Sequence, residues 1–173
     1  MRFDHDYYPG VIADILGTHA RYYAQAWSFG KKFEAKVAAD LASFVINMNQ
    51  DRDLLLTAKR PDERFLGSIA IDGSDHAGRG AHLRWFIVAP EAQRTGLGKQ
   101  LLDRALGFCR ERDYRRVYLY TFAGLDSARR LYEQAGFKLM EEQEANSWGR
   151  TMREQRFDLD LPPAGDGESA TAG

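Results

Sequence analysis

Apolar side chains recur about every 3.6 residues through the first third of the chain. Val11, Ile12, Ile15, Leu16, Tyr22, Tyr23 and Ala26 predict an amphipathic helix, with Pro9 placed where its fixed φ suits a first turn. Gly30 interrupts this pattern. Phe33, Val37, Leu41, Phe44, Val45 and Met48 then resume it, so a second helix follows directly. Met1 to Tyr8 is polar and aromatic without a period and predicts no regular element.

Beyond Met48 the period changes. Leu54 to Lys59 and Phe65 to Ile71 are short runs on either side of Arg60-Pro61-Asp62-Glu63, which reads as strand, turn, strand. The polar, glycine-rich stretch Asp72 to Gly80 is a loop, and His82 to Val88 (HLRWFIV) is a strand ending before Pro90. A helix follows QRTGLGK, with an apolar stripe at Leu97, Leu101, Leu102, Ala105, Leu106 and Cys109. Val117 to Thr121 predicts a strand, and Leu125 to Ala135 a helix stopped by Gly136. Phe137 to Glu142 and Gln155 to Leu161 alternate as two last strands. The pattern is that of one α+β domain with a mixed sheet over residues 1–161. PPAGDGESATAG, residues 162–173, has no large apolar side chain and predicts a disordered tail.

Charge narrows the function classes. With 24 Lys and Arg against 25 Asp and Glu among 173 residues, the net charge is -1. That balance gives no electrostatic reason to expect nucleic acid or an anionic membrane as a partner. No apolar run approaches the roughly 20 residues of a membrane span. The opening MRFDHDYYPG carries acids and no apolar leader core, so the expected location is the cytoplasm. The single Cys109 excludes an internal disulfide, and no His/Asp/Glu grouping has metal-ligand spacing, so no metal is expected.

Candidate chemistry concentrates in Val88 to Lys99, VAPEAQRTGLGK, where a strand runs through a loop with Gly96 and Gly98 into a helix. Such a turn aims free backbone N–H groups and the positive helix end at one point, which suits an anion such as pyrophosphate. A side chain on the glycines would hold the ligand off the backbone. Arg94 and Lys99 are placed to add charge-assisted contacts. Two better-known phosphate motifs fail here: Gln100 follows Lys99 where a P-loop has Ser or Thr, and Leu101 occupies the third glycine of the dinucleotide fingerprint. A tight strand–helix turn without a ligand is the plain structural alternative.

HLRWFIV, QRTGLGK, VYLYT and the helix ARRLYEQAGF together resemble the GNAT superfamily of N-acetyltransferases. The matching residues are Gln93, Gly96 and Gly98 in the turn, and Ala128, Leu131, Tyr132, Gly136 and Phe137 in the helix. The likeness is specific from Ala81 to Phe137. YYPG and the closing WGRTMREQRFDLDL are similar to acetyltransferases sometimes fused to MarR-type regulators, though 173 residues leave no room for that extra domain. Leu125 stands where many members carry Asn.

The resemblance implies a GNAT-like, mostly antiparallel sheet with a central splayed parallel strand pair, flanked by helices. Acetyl-CoA, as co-substrate, would lie in the splay. Its pantetheine arm would pair with the backbone of Phe86, Ile87 and Val88, as a peptide adds to a sheet edge. Its diphosphate would sit on the N–H groups of Arg94, Thr95, Gly96, Leu97, Gly98 and Lys99, beside Gln93. Tyr132 would be the general acid that protonates the leaving thiolate, or else only a packed tyrosine.

A base is needed because a protonated amine cannot attack. His82, on the cofactor strand and with an ordinary pKa near neutrality, is one candidate. His19 is a second, and a water relay a third. The acceptor pocket would be lined by His19, Tyr22, Tyr23, Trp27, Phe33 and Trp148, with Glu34 anchoring a cationic amine, although each also reads as core or solvated helix face. The implied activity is direct acetyl transfer to a primary amine of a small molecule or peptide. A weakly catalytic acyl-CoA-binding regulatory module is the alternative, and a nucleotide-binding protein of another fold a third. Pairing of the late strands would allow a homodimer.

Overall fold

A computed structural model describes residues 1–163. The tail expected from Pro162 lies outside the described residues from Ala164 onward. Two long helices come first, α1 (Val11–Trp27) and α2 (Lys31–Asn47). Gly10 rather than Pro9 occupies the cap position of α1, so the proline sits one residue outside the first turn. The strands are β1 (Arg2–Asp4), β2 (Leu54–Lys59), β3 (Phe65–Asp72), β4 (Ala81–Val88), β5 (Arg116–Phe122), β6 (Lys138–Ala145) and β7 (Met152–Asp160). Helices α3 (Leu97–Glu111) and α4 (Asp126–Gln134) each follow one of the two central strands, and a single 3₁₀ turn, Pro90–Ala92, precedes α3. No described helix is long and apolar enough to cross a membrane.

The seven strands form one sheet in the order β1-β2-β3-β4-β5-β7-β6, antiparallel everywhere except between β4 and β5. Two cores cover its faces. On one, α3 supplies Leu97, Leu101, Leu102, Ala105 and Leu106, and α4 supplies Tyr132, against Leu56, Ile69, Leu83, Leu119 and Phe157. On the other, Val11 and Ile15 of α1 and Phe33, Val37, Leu41 and Phe44 of α2 pack on Leu55, Ala70, Trp85 and Phe122.

β4 and β5 part soon after they meet. Only Ala81↔Val117 and His82↔Tyr118 are paired. The cause lies on the other side of β4: its register against β3 runs from Ala70↔Arg84 to Ser68↔Ile87, so two residues of β4 face one of β3. This is a β-bulge, and it bends the strand that carries it. Trp85 sits at the bulge with φ 45, in the left-handed region that a bulky residue rarely adopts. The Ser68 hydroxyl donates to the Trp85 carbonyl at 2.8 Å and so holds the irregular backbone in place.

Candidate active site

The divergence of β4 from β5 leaves a cleft of about 1120 Å³ through the centre of the molecule. On one side the backbone edge of β4 from Leu83 to Val88 has no β5 partner. An added strand-like ligand would find unpaired peptide groups there. Phe86, Ile87 and Val88 all line the cleft.

The turn between β4 and α3 closes one end. Gln93 reaches back to the Val88 carbonyl at 3.4 Å, and the Thr95 hydroxyl donates to the Ala92 carbonyl at 2.7 Å. Both contacts brace the loop from within. The N–H groups of Arg94, Thr95, Gly96, Leu97, Gly98 and Lys99 meet no acceptor among the described residues, and the first helical bond to the turn runs from Gln100 to Gly96. Six consecutive free donors at a helix start form a cradle for an anion. Gly96 has φ +84, and a Cβ there would project into open space rather than into protein. The glycine is therefore required by its backbone conformation and not by packing. The Leu97 side chain is buried in the core, so this residue offers the turn only its N–H. Lys99 is paired with Asp103 at 2.6 Å, which leaves Arg94 as the less committed cation of the turn.

Tyr132 lies deep in the wall beside Phe86, Phe137 and Phe157, with ring centroids 5.8–6.2 Å away. Burial, helped by the neighbouring Tyr23, raises its pKa well above the ordinary phenol value, so it stays a proton donor. Neither the Tyr132 nor the Tyr23 hydroxyl has a hydrogen-bond partner among the described residues. Neither is sealed from the cleft, which both residues line.

The two histidines differ from the sequence expectation. His82 is stacked on Tyr118 at 4.5 Å, at the point where the strands part. Burial, then the Arg84 cation, takes its pKa down to about 3 against an upward pull from Asp72, with smaller downward contributions from Arg79 and Arg156. It is thus uncharged but a weak base, not the near-neutral base that an ordinary imidazole would be. His19 is buried, with Nδ1 2.8 Å from the Ile15 carbonyl. A carbonyl only accepts, so the proton is on Nδ1 and the lone pair on Nε2. Burial lowers its pKa to about 4.

His19, Tyr22, Tyr23, Trp27, Phe33 and Trp148 all line the cleft, but Glu34 does not. The buried face of α2 is Phe33, Val37, Leu41 and Phe44, and Glu34 falls off it into solvent. Lys36 and Asp40, on the flank of that face, line the cleft instead. Several wall residues have no counterpart in the sequence reading: Phe122, Arg84, Glu154 and Arg156. Strand alternation marks Phe122 as inward, but only the tertiary arrangement shows that it faces the cleft.

These features agree with the comparisons to known proteins. The model of the acetyltransferase (GNAT) family matches residues 16–137. The chain belongs to the GNAT family. Solved structures share its fold. The spermidine N-acetyltransferase of Vibrio cholerae in complex with CoA and spermine aligns with a TM-score of 0.68 at 19% identity, covering 92% of this chain and 94% of that one. The ribosomal-protein-alanine N-acetyltransferase of Brucella melitensis gives a TM-score of 0.73 at 17% identity, over 93% of this chain and 100% of the other. A GNAT-family acetyltransferase of Staphylococcus aureus gives 0.72 at 14% identity, over 93% and 100%. No curated protein matches the sequence. This GNAT protein thus has the family's mostly antiparallel sheet with its one parallel pair, four helices, and a cleft at that pair.

Proposed function

We propose that the protein is an acetyl-CoA-dependent N-acetyltransferase acting by direct transfer on a primary amine. The observation that carries this reading is the junction of three features in one cleft: the six free N–H groups of the β4–α3 turn, the unpaired edge of β4 and the Tyr132 hydroxyl. The turn fits a diphosphate and the strand edge fits an amide-bearing arm. A thioester at the end of that arm would then reach the part of the cleft that Tyr132 lines.

The chemistry needs one bond made and one broken. The amine nitrogen forms the C–N bond with the acyl carbon, and the C–S bond breaks with its electron pair going to sulfur. Tyr132 supplies a proton to the departing sulfur, and the nitrogen gives up one, so protons balance over the turnover. Neither histidine need accept a proton from a free ammonium, because a desolvating cleft favours the neutral amine from the start. His19 and His82 are then groups that orient the amine, with water carrying the proton away.

Thiol release from acetyl-CoA in the presence of an amine panel tests the assignment. Tyr132→Phe is expected to lower kcat about 10²-fold or more while leaving acetyl-CoA affinity within about a factor of two. Unchanged kcat in this variant overturns the role of Tyr132. Acetyl-CoA binding without thiol release by the unmodified protein points instead to an acyl-CoA-binding regulatory module.

A further inference from the structure

The cleft carries negative charge that the fold does not balance. Asp126, Glu141 and Glu154 line it without an ion pair among the described residues, whereas Asp40 is held by Lys36 at 3.0 Å and by Arg84 at 3.3 Å. Asp126 begins α4, where the free N–H groups of the first helical turn favour a carboxylate. Glu141 stands across the β6–β7 ladder from Arg156. Glu154 has neither arrangement, since its partners across the sheet are Phe122 of β5 and Gln143 of β6.

Glu154 is half-buried and fixed in place. One of its oxygens accepts from the Ser147 N–H and the other from the Ser147 hydroxyl, at 2.8 Å each. These neutral donors orient the carboxylate without cancelling its charge, and each oxygen keeps a free lone pair. The arginines of the same hairpin are engaged elsewhere: Arg153 with Glu142 at 3.5 Å, Arg156 with Asp158 at 2.8 Å, and Arg150 with the Trp27 carbonyl.

Aromatic rings flank this carboxylate. Phe122 is its neighbour in the ladder, with Trp27 centred 4.9 Å and Trp148 5.6 Å from that ring. No cation of the described residues lies over these three rings, although cations cover Trp85, Phe108 and Tyr118 elsewhere. A carboxylate beside open aromatic faces attracts a cation both by its charge and through the ring quadrupoles. The rings continue inward, from Phe122 to Tyr23 at 5.9 Å and from Tyr23 to His19 at 6.2 Å. His19 is only 6% exposed, and its Nε2 lone pair has no partner yet is not sealed from the cleft. The chamber therefore offers an acceptor for N–H groups at each end of an apolar run.

We propose that the acceptor carries two nitrogen groups: the primary amine that is acetylated, donating to His19 Nε2, and a second, cationic group held by Glu154 between Phe122 and Trp148. A short apolar linker joins the two along the rings. Glu154 is then the residue that selects for the second cation. Its half-buried position leaves that cation partly hydrated, which costs less than full burial. This assignment rests on the N-acetyltransferase reading above.

The test compares agmatine, a primary amine and a guanidinium on a butyl linker, with pentylamine, which has the amine alone, by thiol release from acetyl-CoA. The expected kcat/KM for agmatine is about 30-fold above that for pentylamine. Glu154→Gln keeps the shape and removes the charge, and should bring the two amines to within about threefold of each other. Ser147→Ala removes one brace but keeps the carboxylate, and should retain a preference of about tenfold or more. Titration with acetyl-CoA reports that each variant is folded. Equal or better use of pentylamine by the unmodified protein, a preference that survives Glu154→Gln, or the same loss in both variants overturns this proposal and leaves the transferase standing. No thiol release with either amine also overturns it, and none with the whole amine panel overturns the transferase as well.

Discussion

His19 and His82 carry the most informative departure from ordinary chemistry. Both are uncharged near neutrality because burial holds them so, at about 4 and about 3. In the unfolded chain they return to the ordinary value near 6.5. Between that value and about 4 the unfolded chain therefore binds protons that the folded chain refuses. Stability is complete above pH 6.5 and is lost as pH falls toward 4, with about 3 kcal/mol at stake for His19. Denaturant unfolding at several pH values checks this. His19→Gln keeps a donor for the Ile15 carbonyl and removes the titration, so its stability should fall less steeply over that window. An identical slope contradicts the assignment. For the same reason kcat/KM should show no inflection near pH 6.5 from either ring.

At the scale of elements, the active geometry comes from irregularities that the periodic pattern conceals. β4 reads HLRWFIV, an unbroken strand, and nothing in that string marks Trp85 as a bulge. The bulge depends on a hydroxyl from the neighbouring strand, Ser68, a partner that sequence order does not reveal. β1 has no periodic signature for a different reason: its three residues are half-polar and gain their order by pairing with Lys59, Ala58 and Thr57 of β2. A helical period gives the buried face of α2 but not which flank of it borders the cleft, and Glu34 lies on the solvent side while Lys36 and Asp40 border the cleft. The β4–α3 turn was legible, since its geometry is local and glycine-dependent.

The β5–α4 junction carries a prediction of its own. Gly124 has φ +107, and a Cβ built there collides with the Trp27 indole. Gly124→Ala should cost about 2 kcal/mol or more, a fall in Tm of about 4–8 °C, because neither the backbone nor the indole relaxes freely. A thermal scan that shows no change contradicts the packing of Trp27 over this turn.

On the scale of the whole molecule, the cleft exists because two separate cores grip one sheet on opposite faces while its two central strands are forced apart. One core carries α3 and α4, and with them the β4–α3 turn and Tyr132; the other carries α1 and α2, and with them most of the aromatic residues that line the cleft. The fold class and the glycine-bearing β4–α3 turn are legible in the sequence, because their motifs are contiguous. The acceptor side is not, since its walls come from four elements spread between α1 and the β6–β7 turn.

The donor site is the claim on which the rest depends, and calorimetric titration of the purified protein with acetyl-CoA tests it most directly, with ATP and NAD as controls. The account predicts selective binding of acetyl-CoA at roughly micromolar affinity. It also predicts loss of that binding in Gly96→Asp, whose carboxylate enters the open space in front of the free N–H groups. Equal or tighter binding of ATP or NAD, or retained acetyl-CoA affinity in Gly96→Asp, would contradict it.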